Sequence, residues 1–161
     1  NLITIKKYFS SKNSIYTVQG KVGNIFSLNN NDILTDDKFS LGGRSLRGFD
    51  IYGVGPRNSR SSYIGGNNIA SLKLDYSYEI TRQSNFPFFL NIFNDYGLIW
   101  ENKTAPTQSD NNIRSSVGFG IRYYSPVGPI GLTWGFPIMD EEYDIKRMFL
   151  FSIGNLDWSQ F

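Results

Sequence analysis

Apolar and polar residues alternate with a period of two along this chain, in segment after segment. That pattern marks β-strands with two chemically different faces. In the clearest stretch, Ile69 to Ile80, one face carries Ala70, Leu72, Leu74, Tyr76, Tyr78 and Ile80, and the other Ser71, Lys73, Asp75, Ser77 and Glu79. Phe88 to Trp100 repeats it, with Leu90, Ile92, Asn94, Tyr96, Leu98 and Trp100 opposing Phe89, Asn91, Phe93, Asp95, Gly97 and Ile99. Arg114 to Tyr124 sets Ser115, Val117, Phe119, Ile121 and Tyr123 against Arg114, Ser116, Gly118, Gly120, Arg122 and Tyr124. The breaker-rich turn Ser125-Pro126-Val127-Gly128-Pro129 follows. Ile130, Leu132, Trp134 and Phe136 then alternate with Gly131, Thr133 and Gly135, and Phe149, Phe151 and Ile153 with Leu150, Ser152 and Gly154. Near the start, Tyr16, Val18, Val22 and Phe26 oppose Thr17, Gln19, Lys21 and Gly23, and Ile3 and Ile5 oppose Thr4 and Lys6. The pattern predicts an all-β chain of about seven antiparallel strands.

Alternation alone fits a soluble β-sandwich or a membrane barrel. Two features favour the barrel. The second face is polar or glycine-rich in strand after strand, as a wet or plugged lumen requires. The apolar face is rich in rings at Tyr76, Tyr78, Trp100, Tyr123, Trp134 and Phe136, which predicts aromatic girdles at strand ends. A bacterial barrel closes with an even number of strands and no free edge. Seven strands, and an alternating segment directly after Asn1, therefore lead us to expect part of a larger barrel.

Composition excludes several functions. With 16 basic and 14 acidic residues the net charge is +2, too balanced for a nucleic-acid footprint. There is no Cys and no His, which removes disulfides, thiolate nucleophiles, and the usual general base and metal ligand. No run approaches the 18 or so apolar residues of a transmembrane helix. A phosphate-binding loop is also lacking. The sequence predicts no enzyme, no cofactor, no metal site and no nucleic-acid partner. The acidic cluster Asp140, Glu141, Glu142 and Asp144 reads as a solvated hairpin turn, and Asp36, Asp37 and Asp110 as solvated loop charges. Lys73, Asp75, Glu79 and Arg122 fall on the polar face and are expected to line a lumen.

The alternation breaks from Asn29 to Asn68, a stretch too long for an ordinary connection. It holds Leu41-Gly42-Gly43-Arg44-Ser45-Leu46-Arg47-Gly48-Phe49, then Gly53-Val54-Gly55-Pro56-Arg57 and Gly65-Gly66. Its glycines predict a large ordered loop. Asn102 to Asn112 is a second, shorter polar loop.

Leu46-Arg47-Gly48-Phe49 resembles the (V/L/I)-R-G-(F/Y) signature of the Omp85 superfamily. Phe93-Asn94-Asp95-Tyr96-Gly97 is similar to its F-x-D-x-G strand motif. Arg114, Gly118 and Gly120, with the hairpin after them, resemble its next strand. Phe149, Phe151, Ile153 and Gly154 resemble its closing strand, with Trp158 or Phe161 as the terminal aromatic. The glycine pairs and Gly55-Pro56-Arg57 are most similar to the BamA-type assembly factors. TamA-type relatives and two-partner secretion transporters share the core motifs.

The resemblance implies that residues 1–161 are the C-terminal half of a transmembrane β-barrel, with residues 29–68 inserted into the lumen and the N-terminal strands and periplasmic domains absent. It implies that Arg47, Gly48 and Phe49 meet Asp95 as a latch without catalysis. It implies insertion of outer membrane proteins at a strand seam in the bacterial outer membrane. Nascent outer membrane proteins, assembly-machinery lipoproteins and the lipid bilayer would be the partners. A secretion or translocation pore of the same superfamily is the alternative, and a soluble β-sandwich binding module the third.

Overall fold

The computed structural model of the chain describes residues 1–27, 33–81, 87–101, 111–126 and 128–154. The strands are β1 (Leu2–Ser11), β2 (Ser14–Asn24), β3 (Gly48–Phe49), β4 (Asn68–Glu79), β5 (Phe88–Trp100), β6 (Arg114–Ser125), β7 (Gly128–Met139), β8 (Lys146–Arg147) and β9 (Phe149–Ile153). A single turn of 3₁₀ helix, Thr35–Asp37, lies in the long loop. Seven strands form one antiparallel sheet in the order β1-β2-β4-β5-β6-β7-β9, while β3 pairs with β8. The sheet is open, and β1 and β9 are its edges. Among the described residues no second large sheet faces it.

The two faces differ as the alternation predicts. Along β5, Leu90, Ile92 and Tyr96 are exposed, whereas Asn91, Phe93, Asp95, Gly97 and Ile99 are buried. Along β4, Leu72, Leu74 and Tyr78 are exposed while Lys73 and Ser77 are buried. This inverts a soluble domain, where the apolar face is the one hidden. What covers the polar face is the long loop. Leu41, Leu46, Phe49 and Val54 from the loop pack with Ile69 and Ile99 from the strands into one buried cluster. Burying one such side chain is favourable by about 1.5–3 kcal/mol, so the loop is held largely by its own apolar residues.

Rings form a stripe on the open face. Register aligns Tyr16, Tyr76, Ile92, Phe119, Trp134 and Phe149 across adjacent strands. Ring centroids lie 4.8 Å apart for Tyr16–Tyr76, 5.4 Å for Phe119–Trp134 and 5.3 Å for Trp134–Phe149. Trp134 stands in the middle of β7 rather than at its end, so part of the aromatic signal is cross-strand packing and not an interfacial girdle.

Two local details add to the expectations. Ser115 lies opposite Tyr96 on the open face, as the alternation expects, but it is buried there, as are Arg114 and Ser116 on the covered face. On the other side of β6 the register shifts: Ser115 pairs with Met139 and Ser116 with Pro137, which leaves Ile138 of β7 as the extra residue of a bulge. Gly154 lies just beyond the closing strand, at φ +90, with its N–H still donating to the Pro129 carbonyl at 2.9 Å. It follows the last residue of β9, Ile153. Trp158 and Phe161 fall outside the described residues, as does most of Asn102 to Asn112.

Candidate functional site

Strand register builds the site before the loop arrives. Lys73 of β4 lies opposite Asp95 of β5, and Asp75 lies opposite Phe93. Period two sends all four side chains to the covered face. Into this square the loop inserts Arg47, which is 3% exposed against an Asp95 that is fully buried. The guanidinium Nε donates to Asp95 Oδ2 at 2.7 Å and Nη2 to Oδ1 at 2.5 Å. This is the two-pronged contact that a planar guanidinium makes with a carboxylate. Nη1 donates to Asp75 Oδ1 at 2.7 Å, and the backbone N–H of Arg47 donates to Asp95 Oδ2 at 3.1 Å. The Phe93 ring lies under the guanidinium, 3.6 Å from its central carbon to the ring centroid, a cation–π contact. Lys73 Nζ donates to the Arg44 carbonyl. Arg47, Lys73, Asp75 and Asp95 carry formal charges that sum to zero, the condition for burying charge without a large penalty. Burial alone would pull the Arg47 pKa down, but Asp95 and then Asp75 outweigh it, so the net direction is up and the cation stays charged.

Neighbouring residues keep this contact close. Gly48, at φ +93, carries the chain past β7, where a Cβ would come within 3.2 Å of the Gly135 carbonyl carbon. Phe49 joins the buried cluster, 1% exposed. The F-x-D-x-G motif of β5 acquires a role at each end: Phe93 supports the guanidinium, Asp95 binds it, and Gly97 leaves room for Leu41 of the loop. A Cβ on Gly97 would lie 2.8 Å from a Leu41 methyl. Gly118 lies under the Phe93 ring, and Gly120 beside Asn91. The loop is stitched further out by Lys38–Glu101 at 2.6 Å, by Asn67 donating to Glu101 at 2.6 Å, and by Arg57, whose guanidinium donates to the carbonyls of Tyr52, Gly53 and Ser61.

The structure brings Arg47, Gly48, Phe49, Phe93, Asp95 and Gly97 together. Arg114 stands apart from them. Its Nε donates to Asp144 at 2.7 Å and Nη2 to the Tyr143 hydroxyl at 3.1 Å. Asp144 is therefore buried rather than solvated, and Asp140 pairs with Lys146 at 2.5 Å. Of that acidic cluster Asp140 and Glu142 are exposed as expected, as are Asp36 and Asp37. Asp110 lies outside the described residues. Sequence reasoning also passed over Asp75 as a ligand of Arg47. Its signal was present: Asp75 follows Lys73, the residue opposite Asp95, on the same face of β4. Phe149, Phe151 and Ile153 are exposed on β9, which pairs only with β7 among the described residues.

A sheet with an apolar outer face, a polar inner face and a loop plugged against that inner face defines the wall of a membrane-type β-barrel. The Omp85 superfamily domain model matches residues 3–156, and the chain belongs to that superfamily. It is 30% identical over 146 residues to a SAM50-like protein of Schizosaccharomyces pombe, covering 86% of this chain and 30% of that protein. It is 30% identical over 131 residues to the outer membrane protein assembly factor BamA of Nitratidesulfovibrio vulgaris, covering 76% of this chain and 16% of the relative. The crystal structure of Haemophilus ducreyi BamA lacking POTRA domains 1–3 superposes with a TM-score of 0.72 at 19% identity, over 92% of this chain and 33% of that one. That likeness shows a BamA-type barrel fold, with the seven strands as part of its wall. The chain spans about a third or less of the length of these relatives.

Proposed function

We propose that this chain is the latched wall segment of an outer-membrane β-barrel insertase, which assembles and inserts other outer membrane proteins. The observation that supports it best is a loop docked on the inner face of a barrel wall that ends in a short closing strand. Arg47 ties the loop to Asp95, and β9, whose one strand neighbour among the described residues is β7, lies beside an apolar outer face. A free edge templates another strand. A client strand would pair there and pass hairpin by hairpin into lipid. The work is mechanical, and we assign no catalytic residue, cofactor or metal. Nascent outer membrane proteins would be the substrates, with assembly-machinery lipoproteins and the lipid bilayer as partners. The bacterial outer membrane is the proposed setting. The SAM50-like relative makes the mitochondrial outer membrane the second one.

Depletion of the full-length protein from its native cells tests the reading. Newly made β-barrel proteins are expected to disappear from the outer membrane first, with secreted passengers already routed through other barrels unaffected. Loss of one secreted passenger with normal barrel assembly would favour the secretion-pore alternative instead.

A further inference from the structure

The two-residue strands β3 and β8 connect the latch to the closing strand. Gly48 pairs with Arg147 and Phe49 with Lys146. The contact extends on both sides: Asp50 N–H donates to the Ile145 carbonyl at 2.8 Å, and Ile145 N–H to the Gly53 carbonyl at 3.0 Å. Arg147 Nε lies 3.1 Å from Asp50 Oδ1. Behind the loop tip, Gly48 and Gly135 meet backbone to backbone; a Cβ on Gly135 would lie 2.6 Å from the Gly48 nitrogen. Gly135 N–H in turn donates to the Met148 carbonyl at 2.8 Å. Phe149, the next residue, opens β9 opposite Trp134.

These contacts matter because β9 is weakly held. It has five residues and, among the described residues, one strand neighbour, and short strands open at low free energy. Its Ile153 end stops at Gly154. Its Phe149 end is continuous with the segment that the loop tip grips, and the start of that segment is fixed by Asp144 on Arg114.

We propose that the loop tip is a register clamp for the closing strand, with Gly135, Asp50 and Arg147 as its positioning residues. β3 holds residues 145–147 so that β9 starts in register with β7, and withdrawal of the tip frees β9 from its Phe149 end. The edge offered to an incoming strand is thereby set by the state of the latch. This rests on the reading of Arg47 and Asp95 as a latch that docks and releases.

Amide hydrogen exchange on the full-length protein in lipid nanodiscs tests the clamp. In Gly135→Ala the added methyl pushes the tip away, and the amides of Phe149 to Ile153 are expected to exchange about tenfold faster, with β4 and β5 unchanged. Arg147→Ala, which removes only a half-exposed ion pair, is expected to accelerate them about twofold. If Gly135→Ala does not assemble, the Asp50→Ala/Arg147→Ala double variant carries the same comparison. Faster exchange at Gly48 and Phe49 with wild-type exchange in β9 would overturn the clamp. Exchange reads strand anchoring rather than client insertion, so failure of the clamp leaves the insertase reading standing, and the converse also holds.

Discussion

Asp95→Ala in the full-length protein is expected to lower stability by about 3–5 kcal/mol, the usual consequence of stripping one partner from a buried ion pair. The variant leaves Arg47 and Lys73 facing Asp75 alone, so one positive charge is uncompensated where water is scarce. It also removes three of the hydrogen bonds that dock the loop. Arg47→Ala strands a negative charge instead and releases the Phe93 ring, at similar cost. The double variant is expected to cost less than the sum of the two, because neither charge is left behind. Thermal loss of the folded, heat-modifiable band on a gel measures all three. Additive effects would mean that the two side chains act separately. Wild-type stability of Asp95→Ala would remove the latch.

Ile92→Arg is the second large effect. Ile92 is 59% exposed near the middle of β5, within the aromatic stripe. In water such a surface substitution would change stability by under about 0.5 kcal/mol. Facing lipid, an arginine near the bilayer midplane costs about 2–4 kcal/mol. Spontaneous folding yield of the full-length protein into lipid vesicles should therefore fall at least tenfold. An unchanged yield would mean that this face does not meet hydrocarbon.

Much of this was legible in the residues. Alternation placed Leu90, Ile92 and Tyr96 on one face of β5 and Phe93, Asp95 and Gly97 on the other, because the strand period admits no other arrangement. The motif around Arg47 pointed to Asp95 through resemblance, and both residues sit on elements whose order is fixed. What stayed hidden depends on contacts between segments far apart in sequence. Asp75 becomes a ligand of Arg47 only once β4 and β5 adopt their register. Asp144 is buried only because Arg114, 30 residues earlier, reaches it. The β3–β8 pair is too short to carry a periodic signal, and the bulge at Ile138 breaks the alternation it interrupts. Nothing in the order of residues announces that Gly48 and Gly135 touch.

The central claim is that β9, the closing strand, receives the strands of assembling barrels. A photo-crosslinking residue at Phe151 of the full-length protein, in cells making a pulse of new outer membrane proteins, tests it most directly. The account predicts adducts with barrel proteins caught during assembly, fading as they mature. Adducts confined to secreted passengers, or none from a folded protein, would contradict it.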